Sequence, residues 1–325
     1  MNRFLREISI VSLLGVLLLV IAPGGASATP YTFMTISVPG AVSTTASGIN
    51  NSGAIVGSYS TNGNNTIGFL DQNNSFTTIS IPGAVFTTAS GINNSGAIVG
   101  TGGTNGFLYQ NNTFTTISVP GGNSTTEVLG INNLGAVVGR VFSFVGSTPS
   151  PNGFLDQHNV FTQLEMMLSA TGINDSGTIV GYTQGVSGGV SGVLDQNNVF
   201  TLFNMPGEMV TVPHGINNSN AIVGSYSQNG FGSSGGSAGG FLDIGGVFST
   251  INDPLASLGG TIPFGINNSG QIVGEYVNAS GTYGFLATPN ALTSTPEPGT
   301  VILFGSGLLL MGLLTLRKCK TSSAV

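Results

Sequence analysis

The sequence is dominated by one motif that returns six times. The tripeptide Gly-Ile-Asn recurs with successive spacings of 43, 39, 42, 43 and 50 residues, and each copy is followed by Gly-Phe-Leu or, once, Gly-Val-Leu. The first motif begins at Gly48, Gly91, Gly130, Gly172, Gly215 and Gly265, and the second at Gly68, Gly106, Gly153, Gly192, Gly240 and Gly284. Regular recurrence at this period indicates six structural repeats of one kind.

Each repeat reads as four short strands. The stretch 76–110 contains FTTISIPG, TTASGINNSG, AIVG and GFLYQ, which are rich in Thr, Ile, Val and Phe and are separated by Gly, Pro and Asn. No stretch between them has a helical apolar period. Four-stranded repeats of about 43 residues match the blades of a β-propeller. We therefore expect residues 29–290 to form an all-β, six-bladed β-propeller, with an open row of sheets capped at both ends as the alternative.

Two turns of the repeat can be predicted from their residues. Three positions after the Asn of Gly-Ile-Asn, the fifth repeat carries Asn220 and the other five carry Gly, as expected for a hairpin with a residue at positive φ. After the second motif, Asn pairs such as Asn73 and Asn74 alternate with Gly245 and Gly246, which predicts a type I′ turn. These turns predict that strand two pairs with strand three, and that strand four pairs with strand one of the next repeat.

Charge is scarce and unevenly placed. Charged residues make up 6% of the chain, and Arg140 is the only basic residue between the two ends. With ten acidic residues in the same stretch, the middle has a formal charge of −9, so nucleic acid is not an expected partner. The single cysteine of the chain is Cys319, in the basic tail, so no disulfide or cysteine metal site is expected in the repeats.

Residues 1–28 have the features of a signal peptide. Arg3 and Arg6 precede an apolar run over 8–21, and Ala26 and Ala28 provide the small residues of a cleavage site. We expect cleavage after Ala28 and export of the mature chain, with an uncleaved N-terminal anchor as the alternative.

The other end has the features of a membrane anchor. A linker over 291–298 ends in Pro296, Glu297 and Pro298, an apolar segment follows over 299–316, and a basic tail occupies 317–325. As a helix, the apolar segment would span about 27 Å, close to the thickness of the hydrocarbon layer. The basic tail is expected to stay in the cytoplasm, which leaves the repeats outside.

The order Pro-Glu-Pro, apolar helix and basic tail resembles the PEP-CTERM sorting signal of Gram-negative bacteria that make extracellular polysaccharide. This resemblance implies an exosortase-type membrane enzyme as a partner, processing near the Pro-Glu-Pro motif, transient anchoring in the inner membrane, and then a cell-surface or extracellular location. The repeats, with GINNSGAIVGSY and GFLDQNN, resemble HAF-type extracellular repeats, a family that implies no settled activity. That family usually has Trp after Phe-Leu, where this chain has Asp71, Asp156, Asp195, Asp243 or Tyr109.

These aspartates are the candidate metal ligands. Asp71, Asp156, Asp195 and Asp243 occupy equivalent strand ends, so a closed ring would place them in a band that could bind Ca²⁺. The alternative is that each carboxylate accepts hydrogen bonds from the backbone of its own turn.

The candidate ligand-binding residues are Arg140 and three tyrosines. Arg140 stands where other repeats have Ser58, Thr101, Ser225 and Glu275, and could bind an acidic sugar or pair with Glu127. The equivalent residues Tyr59, Tyr226 and Tyr276 could stack on sugar rings, or pack on half-exposed strands. Variable segments, of which 225–240 is rich in Gly and Ser, are either binding loops or flexible linkers.

No residue is predicted to be catalytic, and no cofactor is expected. His158 lies at a hairpin tip and His214 precedes Gly215, so turn and loop roles account for both. The sequence thus predicts an exported, noncatalytic surface or matrix protein that binds extracellular polysaccharide. One alternative is a propeller hydrolase or lyase acting on glycans, which would gather Glu127, Glu165, Asp175 or Glu208 in one pocket. Another is a protein-binding adhesion propeller with an exposed apolar patch.

Overall fold

A computed structural model describes residues 31–120, 125–145, 148–185, 188–229, 238–257 and 260–290. These ranges contain 24 β-strands, which confirms the all-β prediction. Within them, no helix is long and apolar enough to cross a membrane. The predicted signal peptide, Pro-Glu-Pro linker, apolar segment and basic tail lie outside the described residues.

The strands form six units of four, numbered here in chain order. Unit 1 contains β2 (Ser43–Ile49), β3 (Ile55–Ser60), β4 (Ile67–Gln72) and β5 (Ser75–Ile79). Unit 2 contains β6 (Thr87–Ile92), β7 (Ile98–Gly102), β8 (Asn105–Gln110) and β9 (Thr113–Ile117). Unit 3 contains β10 (Thr125–Ile131), β11 (Val137–Val145), β12 (Thr148–Gln157) and β13 (Val160–Leu164).

The second half of the chain repeats this arrangement. Unit 4 contains β14 (Ser169–Ile173), β15 (Ile179–Gln184), β16 (Val190–Gln196) and β17 (Val199–Phe203). Unit 5 contains β18 (Val210–Ile216), β19 (Ala221–Ser227), β20 (Ala238–Ile244) and β21 (Val247–Ile251). Unit 6 contains β22 (Thr261–Ile266), β23 (Ile272–Asn278), β24 (Gly281–Pro289) and, from the other end of the chain, β1 (Tyr31–Ile36).

Every unit is an antiparallel meander whose first strand carries Gly-Ile-Asn. The predicted pairings are confirmed. Strand two of the predicted repeat pairs with strand three, as β6 does with β7, and strand four pairs with strand one of the next repeat, as β8 does with β9. Both predicted turns are confirmed as well. Gly53 has φ 83° and Asn220 has φ 61°, while Asn73 and Asn74 have φ 56° and 63°.

The N-terminal strand completes the last unit. The strand before the first Gly-Ile-Asn copy has no preceding unit, so β1 pairs antiparallel with β24, from Tyr31 opposite Pro289 to Ile36 opposite Gly284. The rings of Phe33 and Phe285 lie 5.6 Å apart across this pairing. The two ends of the described chain are therefore joined in one sheet.

The hydrophobic core lies between the units. Six clusters of buried side chains each combine residues from two neighbouring units, including a cluster that joins units 6 and 1. The Phe of Gly-Phe-Leu is at most 1% exposed wherever it occurs, and its ring packs on a glycine of the second strand, as Phe69 does on Gly57. Unit 4 has Val193 instead, and there the Met167 side chain lies against the corresponding Gly181.

Two rings of hydrogen bonds join the inner strands at the axis. The first Asn after each Gly-Ile donates from Nδ2 to the carbonyl of its counterpart in the next unit at 3.0–3.2 Å. The following residue donates from its backbone N–H to the side chain of its own counterpart at 2.7–3.0 Å. Both series run from unit 6 back to unit 1, so the six units form a closed ring.

Replacing an asparagine of the first hydrogen-bonded ring should destabilise the protein far more than replacing the residue that follows it. Asn93 is 6% exposed, and its Oδ1 accepts from the backbone N–H groups of Ser95 and Ala97 while Nδ2 donates to Asn132. Asn93→Ala leaves buried backbone groups without partners, so we expect a loss of about 2–4 kcal/mol in urea denaturation.

The matched control is Asn94→Ala. The exposed Asn94 side chain accepts a hydrogen bond from the Asn51 N–H, which water can replace. We expect a loss below about 1 kcal/mol. Equal losses in the two variants would contradict the assigned role of Asn93.

Candidate functional site

The inner strand of each unit carries a β-bulge just before its Gly-Ile-Asn glycine. The pairing register shifts there in every unit, for example between Ala46 and Gly48, which leaves one extra residue. A bulge re-aims a side chain without ending the sheet. The six bulge residues are Ser47, Ser90, Leu129, Thr171, His214 and Phe264.

These residues surround a cavity on the axis of the ring. The cavity has a volume of about 420 Å³, and its walls also include Arg140, Ser169, Tyr182 and Val212. This volume falls within the range of about 300–1,000 Å³ that is typical of small-molecule sites. The axis of the ring is thus a candidate binding site.

Six isoleucines form the floor of the cavity. The Ile of each Gly-Ile-Asn lines both this cavity and a smaller one, of about 70 Å³, whose remaining walls are the side chains of the two hydrogen-bonded rings. The isoleucine layer therefore separates the two spaces. We call the side with the larger cavity the cavity face and the opposite side the asparagine face.

The cavity is asymmetric although its frame repeats. Units 1 and 2 contribute only Ser47 and Ser90 at the bulge, whereas Leu129, His214 and Phe264 are large. The smallest bulge side chains therefore lie in units 1 and 2, and the larger contact groups belong to units 3 to 6.

Arg140 is held at the cavity wall by two neighbours. Its Nε lies 2.7 Å and its second terminal nitrogen 2.6 Å from Glu127 Oε2, and the first terminal nitrogen donates to the Tyr182 hydroxyl at 3.1 Å. Its guanidinium carbon lies 4.9 Å from the centre of the Phe142 ring. The predicted pairing with Glu127 is confirmed, and it places a compensated charge beside the cavity.

Tyr182 is the residue of unit 4 that is equivalent to Arg140 of unit 3, since each follows the conserved glycine of its second strand. Ser169 is opposite Tyr182 in the sheet and also lines the cavity. The Ser169 hydroxyl is buried and has no hydrogen-bond partner among the described residues. This corner of the cavity therefore presents a guanidinium and a phenol, while the Ser169 hydroxyl beside them is fully buried.

His214 contributes a neutral polar group. Its Nε2 lies 3.0 Å from the Ser225 hydroxyl, and its ring meets that of Phe264 edge-on with centres 5.0 Å apart. Burial lowers the pKa of His214 to about 4, so the imidazole is uncharged at neutral pH. It offers a hydrogen-bond donor or acceptor without a charge.

The three predicted tyrosines do not line this cavity. Tyr276 is 3% exposed, stacks on Tyr283 with ring centres 5.4 Å apart, and has its hydroxyl 3.1 Å from that of Thr35. The hydroxyl of Tyr59 lies 3.4 Å from that of Thr78. Burial, with a contribution from the Glu208 charge, raises the pKa of Tyr226. The structure thus gives these side chains packing contacts away from the axis.

The four repeated aspartates lie at their own hairpins. Each is 4–6% exposed, and each accepts a backbone hydrogen bond from the turn that follows it. One carboxylate oxygen of Asp71, Asp156 and Asp195 has no partner within the described ranges. No three His, Cys, Asp or Glu side chains in these ranges come together as a possible metal site.

The other acidic candidates are not gathered in one pocket. Glu127 pairs with Arg140, while Glu165 and Glu208 lie in strand connections and do not line the cavity. Asp175 lies beyond the isoleucine layer. Burial disfavours its charge, but hydrogen bonds from Asn133 and Asn218 outweigh this effect and lower its pKa.

Sequence reasoning missed the role of the bulge residues and of Tyr182. The loop role predicted for His214 is wrong, because this residue lies in strand β18 and lines the cavity. The signal was present in the repeats, because the residue before Gly-Ile-Asn changes from Ser to Leu, Thr, His and Phe while the tripeptide stays the same. His158, by contrast, has φ 57° at a hairpin on the asparagine face, in keeping with its predicted turn role.

The buried aspartates should make stability depend on pH. Burial raises the pKa of Asp71, Asp156, Asp195 and Asp243, so the folded chain holds these protons more tightly than the unfolded chain. Their stabilising contribution is present at low pH and is lost as pH rises through the raised pKa values. We expect a variant with Asn at all four positions to melt higher than the wild type at pH 7, and this advantage to shrink toward pH 4.

His214 has the opposite effect on stability, because its lowered pKa costs stability as pH falls from about 6.5 to 4. The wild type and the variant both contain His214, so comparing their melting temperatures at the same pH cancels this effect. Asp175→Asn is the control, because a lowered pKa keeps Asp175 charged across this range. A melting-temperature difference that stays constant between pH 7 and 4 would refute the role of the four carboxyls.

No protein-family model matches the sequence, and no curated protein matches it. Among solved structures, a mutant of Aleuria aurantia lectin in complex with α-methyl-L-fucoside is similar at 12% identity and a TM-score of 0.44, over 81% of this chain and 99% of that chain. A fucose-specific lectin from Aleuria aurantia, in a mercury-derivative form, is similar at 11% identity and a TM-score of 0.42, over 81% and 97%. Similarity at this level identifies neither a family nor a ligand for the chain.

Proposed function

We propose that the chain is a noncatalytic, carbohydrate-binding six-bladed β-propeller that is exported and sorted by its PEP-CTERM-like tail. Its axial cavity takes one neutral sugar residue of an extracellular polysaccharide. The observation that carries this proposal is the contrast between an invariant Gly-Ile-Asn frame and the differing bulge residues beside it. When repeats share the residues that build the scaffold but differ in the residues that line a cavity, that cavity is the expected ligand-binding site.

The groups around the cavity suit a neutral sugar. Arg140 is already compensated by Glu127, and His214 is uncharged, so the described part of the wall carries no free positive charge for an acid. Hydroxyl and imidazole groups can exchange hydrogen bonds with sugar hydroxyls, while Phe264 and Leu129 offer apolar surface to the C–H faces. A carboxylate ligand would have to displace Glu127, so this arrangement favours a neutral sugar over the acidic one that the sequence suggested.

The course of the chain supports an outward-facing cavity. β1 begins and β24 ends at the asparagine face, where Tyr31 lies opposite Pro289. The predicted linker over 291–298 could extend at most about 28 Å before the anchor. With the anchor attached at this face, the cavity would point away from the membrane.

A protein-binding role is the second candidate, and one observation favours it. Large apolar side chains are exposed in the connections on the cavity face, at Val42, Val85, Met166, Met209 and Leu255, with exposed fractions of 46–85%. Filling the axial cavity would leave these side chains in place, so the experiment below separates the two functions.

Filling the serine side of the cavity should abolish sugar binding without unfolding the ring. Unit 3 has Leu129 and unit 6 has Phe264 at the bulge, so the backbone accepts both residues there. We expect Ser90→Leu and Ser47→Phe to lose binding to immobilised extracellular polysaccharide of the producing cells, measured with the full chain in detergent. Glucose, galactose, mannose and rhamnose serve as competitors that identify the sugar.

Ser75→Val is the matched control. Ser75 is exposed on the edge strand β5, and units 3 to 5 have valine at this position. Its binding and melting temperature should equal those of the wild type, since surface changes usually alter stability by less than about 0.5 kcal/mol. The proposal fails if the wild type does not bind, or if Ser90→Leu binds as well as Ser75→Val.

A further inference from the structure

We infer that the cavity binds the end of a linear glycan chain, and that each protein molecule holds one such end. This inference rests on the proposed function and narrows its ligand. A sugar residue inside a linear chain is linked to two neighbours, whereas the same sugar at the end of the chain is linked to one. The two therefore differ in the number of glycosidic linkages that must leave the site.

The cavity is closed at its inner end. The six isoleucines lie across the axis, and behind them the first-ring asparagines each donate to the next unit. A glycan therefore cannot pass through the ring from one face to the other. Among the residues that the structure describes, the opening lies on the cavity face.

The cavity is also closed at its sides. Neighbouring inner strands approach so closely that a Cβ atom at Gly172 would lie 3.2 Å from the Cα of Gly215, and one at Gly215 would lie 2.6 Å from the Phe264 carbonyl oxygen. The hydrogen bonds of the two rings hold these strands together. The described inner strands therefore leave no slot between units through which a second linkage could exit.

An internal sugar residue carries two linkages to its neighbours. In a cavity with one opening, both linkages would have to leave through the same mouth. A terminal residue carries one linkage and needs one exit. The geometry therefore selects chain ends.

The site is single although the chain has six repeats. The described wall of the cavity has an Arg, a Tyr and a His in one unit each, and its two bulge serines, Ser47 and Ser90, lie in neighbouring units. A sixfold set of equivalent sites cannot be formed from these residues. We expect one end to be bound per protein molecule.

The test uses extracellular polysaccharide purified from the producing cells, intact and after mild acid hydrolysis to about one-tenth of its mean length. Hydrolysis multiplies the chain ends and leaves the composition unchanged. For the full chain in detergent, we expect the mass concentration of polysaccharide at half-saturation to fall about tenfold, because the concentration of ends rises by that factor. The stoichiometry should be one end per protein, and Ser90→Leu should bind neither sample.

Each other outcome has a distinct meaning. Half-saturation at an unchanged or higher mass concentration after hydrolysis would overturn end recognition while leaving polysaccharide binding intact. More than one end per protein would overturn the single site. Absence of binding to both samples would overturn the proposed function itself, and the inference with it.

Discussion

The fold depends on how backbone polar groups are satisfied where six inner strands converge. At the axis no further strand is available in the described chain to continue a sheet, and buried N–H and C=O groups without partners are costly. The asparagine of Gly-Ile-Asn provides hydrogen-bond partners for these backbone groups in two ways. Its Oδ1 accepts from the turn of its own unit, and its Nδ2 donates to the next unit, as Asn174 does toward Asn217. One side chain thus closes a hairpin and joins two units.

The other two residues of the tripeptide serve the same convergence. Glycine is needed because a Cβ atom would meet the neighbouring inner strand, and isoleucine closes the axis with apolar surface. The bulge residue before them takes no part in the two rings of hydrogen bonds. It changes from Ser47 to Phe264 around the ring, and this variation allows a repeated scaffold to contain one asymmetric site.

The sequence predicted the turns, because the backbone conformation of a turn restricts which residues it accepts. Exchange of Gly with Asn220 located one turn, and exchange of Asn pairs with a Gly pair located the other, because each position requires positive φ. Strand pairing followed from these turns. The starting point of a unit did not follow, since a periodic sequence has no marked beginning. The separate sheets β6 to β9 and β10 to β13 show that a unit begins at its Gly-Ile-Asn strand, and the pairing of β1 with β24 completes the last unit.

The site could not be predicted in the same way, because its contacts join residues far apart in the chain. Arg140 meets Tyr182 across 42 positions. The sequence analysis offered Glu127 as the partner of Arg140 and overlooked Tyr182, although Tyr182 is the equivalent residue of the next repeat. A bulge reverses the side to which a residue points, and alternation along a strand does not reveal it.

The placement of the chain ends connects the site to the proposed anchor. β24 is the last strand before the proposed anchor and is paired on both sides, with β23 and with β1. A load between a bound glycan end and the membrane would act along β24, so its hydrogen bonds would be loaded together in shear instead of opening one after another from an edge. Pairing with β1 would therefore also strengthen the point at which the proposed anchor pulls, and the proposed binding and anchoring would lie at opposite faces of the ring.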